Sequence, residues 1–278
     1  MRSIAAIVKD WCPPALVSWA CLCKNIVTRS GYSCLGPAWP KKFTGGWTDD
    51  SIVEPRRDLF LKWRQEIAGM NPLGCAAWPP VKPYAACVET HNRYMCFAYT
   101  LCLAAQQKKK MKVLDWGGAC GDYLLLAKKL LPGVEFEWHC VEPTSICRLG
   151  REVNPEVIFH DTQSSWEMQQ FDFCFSSSAL QYVADWPNVL AALAAVCCQW
   201  LFITRIPVIF SSPAYVFIQR TPAYRTAYPG WALNHDELIG VAANSGFGVF
   251  QEFMLGPWGT VHKASEQPVN MGFLFRRL

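Results

Sequence analysis

Val113-Leu114-Asp115-Trp116-Gly117-Gly118-Ala119-Cys120-Gly121-Asp122 is the stretch on which the fold turns. A short apolar strand runs into an acidic residue, then into glycines, then into a helix over Asp122 to Leu131. That helix carries Leu124, Leu125, Ala127, Leu130 and Leu131 as apolar positions and stops at Pro132-Gly133. Glycines suit such a turn because they permit unusual φ values and let backbone N–H groups come close to a ligand. The turn is not a dinucleotide fingerprint: counted from Gly117, G-x-G-x-x-G needs glycines where Ala119 and Asp122 stand, and an acidic side chain occupies the approach of a pyrophosphate. The G-K-[ST] ending of a P-loop is missing as well.

Working outward, the chain alternates strands and helices. Glu135 to Val141 has period two, Val157 to Phe159 reads as a third strand and Phe171 to Phe175 as a fourth. An alanine-rich helix over Trp186 to Cys198 leads to a fifth strand, Trp200 to Thr204. Asp236 to Asn244 is helical, and Gly248 to Met254 with Met271 to Phe275 would close the sheet. This rhythm predicts a doubly wound, mainly parallel sheet, whose ligand lies outside the carboxyl ends of the strands. Glu142 ends the second strand there, and a carboxylate at that tip can accept hydrogen bonds from both hydroxyls of a ribose. A glycine turn hostile to pyrophosphate beside such a carboxylate points to a nucleoside without phosphates.

Asp115-x-Gly117-x-Ala119-x-Gly121 resembles the acidic-glycine motif of class I S-adenosylmethionine-dependent methyltransferases, with alanine at the middle glycine. The resemblance implies a Rossmann-like, seven-stranded sheet and S-adenosyl-L-methionine as cofactor. It assigns the ribose to Glu142 and the adenine to the neighbourhood of Asp161 and Thr162. Asp115 and the backbone of Gly117, Gly118, Ala119 and Gly121 would face the amino-acid part of the cofactor. The fourth-strand exit, Ser176-Ser177-Ser178-Ala179-Leu180-Gln181-Tyr182, resembles the fourth motif of the same family, with Ser177 toward the cofactor. Trp116 and Tyr182 either pack over the cofactor or fill core. A narrower similarity, to methyltransferases of surface-polysaccharide and O-antigen biosynthesis, rests on Phe43-Thr44-Gly45-Gly46-Trp47, the turn at Asp115 to Gly121, Ser178-Ala179-Leu180-Gln181-Tyr182, Arg205-Ile206-Pro207, Ile218-Gln219 and Tyr228-Pro229-Gly230-Trp231. It implies O-methylation of a sugar, nucleotide-sugar or lipid-linked glycan, the alternatives being a non-sugar small molecule or a non-catalytic scaffold.

Composition agrees with an enzyme of this size. Among 278 residues, 51% are hydrophobic and 17% charged, enough for a large core, and a net charge of +4 is too weak for a dedicated nucleic-acid binder. Fourteen cysteines are scattered through the apparent strands and helices and read as small buried hydrophobes of a reduced cytoplasm. Cys21-Leu22-Cys23 and Cys197-Cys198 lack zinc-knuckle spacing, so no metal site is expected. The apolar run Cys12 to Cys23, with Trp11, Trp19, Lys9 and Lys24 about it, is too short to span a bilayer; it either touches a membrane surface peripherally or packs on the main domain. Residues 1–110 form an N-terminal helical or irregular extension on the acceptor side, with helices at Arg57 to Ile67 and Val88 to Gln107. Residues 111–278 form the cofactor domain, interrupted at about 206–233 by an insert over the site.

Methyl transfer from a sulfonium is an in-line displacement, so positioning dominates, and a neutral sugar hydroxyl also asks for a base. The candidates are His235, inside a capping-box-like pair of Asn234 and Glu237; Tyr182; and Arg205 at the end of the fifth strand, suited to an acidic group of the acceptor. An exposed first-turn residue is the competing reading of His235. His139 within its strand reads as structural, and His91 lies on a helix that could fold over the site. Tyr215, Tyr224, Tyr228 and Trp231 in the insert suit sugar faces or core packing alike.

Overall fold

The computed structural model describes residues 31–43, 45–69, 84–221, 224 and 226–278. The apolar segment Cys12 to Cys23 lies outside the described residues. The central sheet contains β2 (Lys110–Trp116), β3 (Glu135–Val141), β4 (Ile158–His160), β5 (Phe171–Ser177), β6 (Cys197–Ile209), β9 (Phe247–Pro257) and β11 (Val269–Arg277). Its order is β4-β3-β2-β5-β6-β11-β9, parallel except for β11, which runs antiparallel to β6 and β9. The doubly wound, seven-stranded Rossmann-like architecture is therefore present.

Alternation along the inner strands sorts their side chains to two faces. Val113, Phe173, Phe175, Phe202 and Leu274 face one hydrophobic layer with Phe97 and Leu101 of α2 (Tyr84–Ala104) and Leu124 and Ala127 of α3 (Asp122–Leu130). Leu114, Cys174, Leu201, Ile203 and Phe273 face the other, against Leu190 and Leu193 of α5 (Trp186–Val196) and Leu238 and Ala242 of α6 (His235–Asn244). Between β3 and β4, α4 (Thr144–Val153) packs on α1 (Val53–Gly69) through Leu149, Val153 and Phe60.

The described part of the extension contains the two expected helices, and it and the insert add strands that the sequence did not announce. Gly31–Gly36 forms β1, which pairs antiparallel with β7 (Tyr215–Thr221) and parallel with the short β10 (Val261–His262). β7 in turn forms a hairpin with β8 (Thr226–Asn234), and β8 joins the carboxyl end of β6 at Val208 and Ile209. The fifth predicted strand is thus longer than its apolar run, because β6 continues past the carboxyl-end edge of the central sheet to carry this second sheet. Ile209, Tyr215, Phe217, Ala232 and Val261 form its own small core. Gly45 and Gly46, both at positive φ, turn against β8, where Gly46 N–H donates to Thr226 Oγ1 at 3.3 Å and sets Trp47 beneath the second sheet. Among the described residues no helix is long and apolar enough to cross a membrane.

Two helical glycines separate packing from backbone propensity. A Cβ at Gly150 in α4 would come within 2.2 Å of the Phe159 ring, whereas one at Gly240 in α6 meets nothing within 4 Å. Gly150→Ala should destabilise the fold by roughly 1–3 kcal/mol through overpacking, and Gly240→Ala should stabilise it by about 0.5–1 kcal/mol. Urea unfolding of the two variants checks both signs.

Candidate functional site

A cavity of about 250 Å³ opens at the carboxyl ends of β2 and β5. Asp115, Gly117, Gly118, Ala119, Asp122 and Tyr123 form one side, Ser177, Ser178, Tyr182 and Arg205 another, and Trp47, Arg56, Tyr224 and Tyr228 come from the extension and the second sheet. The turn is built around Asp115, which is fully buried. Trp138 Nε1–H donates to its Oδ2 at 3.3 Å, while Oδ1 has no partner. A Cβ at Gly118 would lie 2.2 Å from the Asp115 carboxyl, so only glycine lets the chain pass over it. Gly117 and Gly121 both take φ of 75°; a Cβ at Gly117 would collide with Ala179 at 2.2 Å and one at Gly121 with Val157 at 2.6 Å. The glycines are needed for conformation and for close approach together.

Glu142 stands directly against this turn. Its Oε1 accepts the Ala119 N–H at 2.6 Å, and its own N–H donates to His160 O across the gap to β4. Ala119, at the place of a glycine, is held at φ 55° by that bond. Burial dominates the charges here. It holds the Asp115 carboxyl well above the usual carboxylate range, raises Asp122 to about 6 and raises Glu142 to about 7, with Arg56 opposing the last two. Arg56 itself lies over the rings of Trp47 and Tyr224 at 5.1 and 5.3 Å. Asp122 and Glu142 thus share the Arg56 guanidinium, while Asp115 has no cation acting on it.

The opposite wall is strained. Of the non-glycine residues described at positive φ, Ala119, Ser178 and Arg205 line the cavity, and the other two, Gln107 and Lys263, do not. Arg205 is the extra residue of a bulge, since Thr204 faces Gly272 while Ile206 faces Met271. The bulge swings its side chain out of the sheet toward the cavity, the kind of costly conformation that collects at binding sites. Ser177 Oγ shares a hydrogen bond with Tyr123 OH at 3.0 Å, and Gln181 Nε2 donates to Ser178 Oγ at 3.2 Å. Tyr182 donates its hydroxyl to Gln219 Oε1 at 2.7 Å and packs on Trp47 and Tyr228. Burial pushes its phenol far up, so it serves as a neutral donor and wall rather than a base.

Several expected residues stand elsewhere. His235 does not line this cavity: Nδ1 is 2.9 Å from Asp236 Oδ1, Nε2 is 3.0 Å from Glu252 Oε1, and the ring lies beside Phe210 and Phe273. Its expected role as a base is corrected to one of tying α6 to β9, while Asn234 Oδ1 caps α6 by accepting from Asp236 and Glu237 N–H. Trp116 packs against the apolar layer of α5 rather than over the cavity. Asp161 and Thr162 are exposed beyond β4 and do not line the cavity. Gly121 shapes the helix start from behind, and Glu142 touches the turn without lining the cavity. His139 is structural, bonded to His160 at 2.8 Å and to Glu137 at 3.0 Å. Arg56, Trp47, Gln219 and Thr221 went unassigned in the sequence. Only Trp47 and Gln219 carried a signal, as parts of quoted stretches, since Arg56 differs from its neighbour Arg57 only in facing inward, while Arg57 pairs with Glu152 at the surface.

No family model matches the chain, and no curated protein does. Solved structures to which the chain is similar include magnesium protoporphyrin IX methyltransferase of Synechocystis with bound S-adenosylhomocysteine, 12% identical, covering 83% of this chain and 100% of that one, TM-score 0.47. An amino pentose methyltransferase of Micromonospora echinaspora with bound S-adenosylmethionine is 14% identical, with coverages of 69% and 92% and a TM-score of 0.45. A methyltransferase of Methanosarcina mazei is 14% identical, with coverages of 63% and 96% and a TM-score of 0.48. These are likenesses of fold, and the chemistry of the site rests on this chain's own residues.

The buried acid offers a test of the electrostatics. Its folded-state pKa lies above the unfolded 3.8, so the ionised form costs stability at neutral pH and the cost disappears on protonation. Asp115→Asn should therefore raise stability at pH 7 by roughly 1–3 kcal/mol, with the advantage shrinking as pH falls toward 4. Parallel melting curves of both proteins across that range read the difference.

Proposed function

We propose that the protein is an S-adenosylmethionine-dependent methyltransferase. The observation that carries this reading is the buried Asp115 with a free Oδ1 at the tip of β2, wrapped by a glycine turn whose next-strand neighbour is Glu142. A phosphate would meet three carboxyl groups there. An adenosyl cofactor with a sulfonium and an ammonium brings the opposite charges. When bound, that group supplies a methyl whose carbon–sulfur bond returns its electron pair to sulfur. Asp115, Asp122 and the amide of Gly118 would hold the amino-acid end, the Ala119 amide being engaged by Glu142. Glu142 Oε2 would take the ribose, because Oε1 is engaged by the turn. Asp161 and Thr162 remain proposed for the adenine side and Ser177 for the cofactor's edge.

The acceptor side is built from the extension and the second sheet. Trp47, Tyr182, Tyr224 and Tyr228 give an aromatic rim, which supports a small acceptor with flat apolar faces, such as the ring of a sugar, nucleotide-sugar or lipid-linked glycan in surface-polysaccharide biosynthesis. Such a reaction gives the methyl ether, S-adenosylhomocysteine as the leaving group and the proton released from the hydroxyl to solvent. We assign residues 1–110 and the insert at 206–233 to acceptor binding and 111–278 to cofactor binding, and we place the reaction in the cytoplasm. A non-sugar small molecule is the alternative.

Calorimetry with S-adenosylhomocysteine, with NAD as the control, tests the cofactor: binding of the first and not the second is expected, and the reverse would overturn the reading. The affinity should also climb with pH across about 6 to about 7, because Asp122 must ionise to meet the ligand's ammonium and Glu142 to accept strongly from the ribose hydroxyls, and then level off. Glu142→Ala should weaken binding by roughly 1–3 kcal/mol in a folded protein. An unchanged affinity removes the ribose assignment.

A further inference from the structure

Beyond the cofactor cavity lies a second chamber of about 220 Å³. The two share Ser178, Tyr182, Arg205 and Gln219, which form the neck between them. Tyr32 and Trp258 make the chamber's aromatic side, with ring centroids 6.0 Å apart, and Gly259 is tucked against the Tyr32 ring so closely that a Cβ would lie 2.5 Å from it. Glu89 and Asn270 make the polar side, Asn270 Nδ2 donating to Glu89 Oε1 at 2.8 Å. Asn270 Oδ1 and Trp258 Nε1 are buried without partners, one an acceptor and one a donor.

Arg205 is the exceptional group. The bulge at φ 57° delivers it to the neck, and its guanidinium forms no ion pair and no hydrogen bond with a described residue. Arg93, whose Nε is also buried without a partner, adds a second positive charge that acts on Arg205, with Glu89 opposing both. Arg205 is thus the charge common to both cavities, with Asp115, Asp122 and Arg56 lining the first and Glu89 the second, while Arg93 acts on it from outside either lining. An unpaired guanidinium at a confined site is a fork for a carboxylate or a phosphate, and the neighbouring acceptors suit hydroxyl donors.

We propose that this chamber is the acceptor subsite and takes a small polyhydroxylated acid, its carboxylate or phosphate on Arg205 and its hydroxyls toward Glu89 and Asn270. In calling the ligand an acceptor the proposal rests on the methyl-transfer reading; the binding itself does not. Arg205 determines specificity: it selects acidic over neutral ligands and places them at the neck, facing the glycine turn.

The test is titration of the whole chain, without cofactor, with D-glucuronate, D-glucose 6-phosphate and D-glucose, followed by ligand-observed magnetic resonance. At least one acid should bind about tenfold or more tighter than glucose, and which acid does so separates carboxylate from phosphate. Arg205→Gln should bring the acid within about twofold of glucose, and Arg205→Lys should restore part of the difference. Asn270→Asp, which keeps the volume and adds a negative charge, should weaken the acid alone; it decides the matter if Arg205→Gln does not fold. Equal binding of all three ligands, no binding of either acid, or a preference for acid that survives in a folded Arg205→Gln protein overturns the proposal. Loss of S-adenosylhomocysteine binding with the acid preference intact would overturn the methyl-transfer reading and leave the acid site standing.

Discussion

A carboxyl group kept out of water at the end of the central strand is the constraint from which the site follows. Asp115 has a single donor, Trp138 Nε1–H, and burial denies it solvent. The chain leaving β2 must pass directly over this group, and Gly118 is the residue that permits it. The same passage forces Gly117 and Gly121 to positive φ and turns the amide of Ala119 toward Glu142 on the neighbouring strand. One desolvated acid thus dictates the course of the backbone for several residues and ties two strand tips together. Its cost, an acceptor without a partner, is of the kind that a bound cation or donor offsets.

Around this centre each cluster of charge carries one group of the opposite sign: Arg56 stands near Asp122 and Glu142 at the tips of β2 and β3, and Glu89 of α2 stands near Arg205 and Arg93. Solvent screening is weak in confined cavities, so the position of each charge weighs on which ligand a chamber takes. The neck between them is where backbone strain concentrates, at Ser178 and Arg205. Holding those two residues in left-handed conformations requires rigid support, which the ladder of β6 with β5 and β11 supplies on both sides.

The second sheet explains why β6 runs so far. A strand ending with its apolar run would leave β7 and β8 with nothing to join; by continuing to Ile209 it pairs with β8 and extends one architecture into the next. The hairpin then carries Gln219, Thr221 and Tyr228 over the opening, and the Gly45-Gly46 turn docks Trp47 beneath them. Residues more than 170 positions apart become one wall.

From the amino-acid sequence alone, the strand–helix rhythm from Lys112 onward determines the central sheet, because period-two and period-3.6 patterns bury only one way. The same holds for the turn at Asp115 to Gly121, where local glycines announce a local conformation. Arg56, Glu89, Trp258 and Asn270 carry no such local mark, since each is an ordinary residue whose role comes from what lies opposite it across the chain. His235 shows the converse: its place at a helix start was readable, but its distance from the cavity was set by how α6 packs on β9. Periodicity reports which face of an element is buried, and only the tertiary fold decides which faces of distant elements meet.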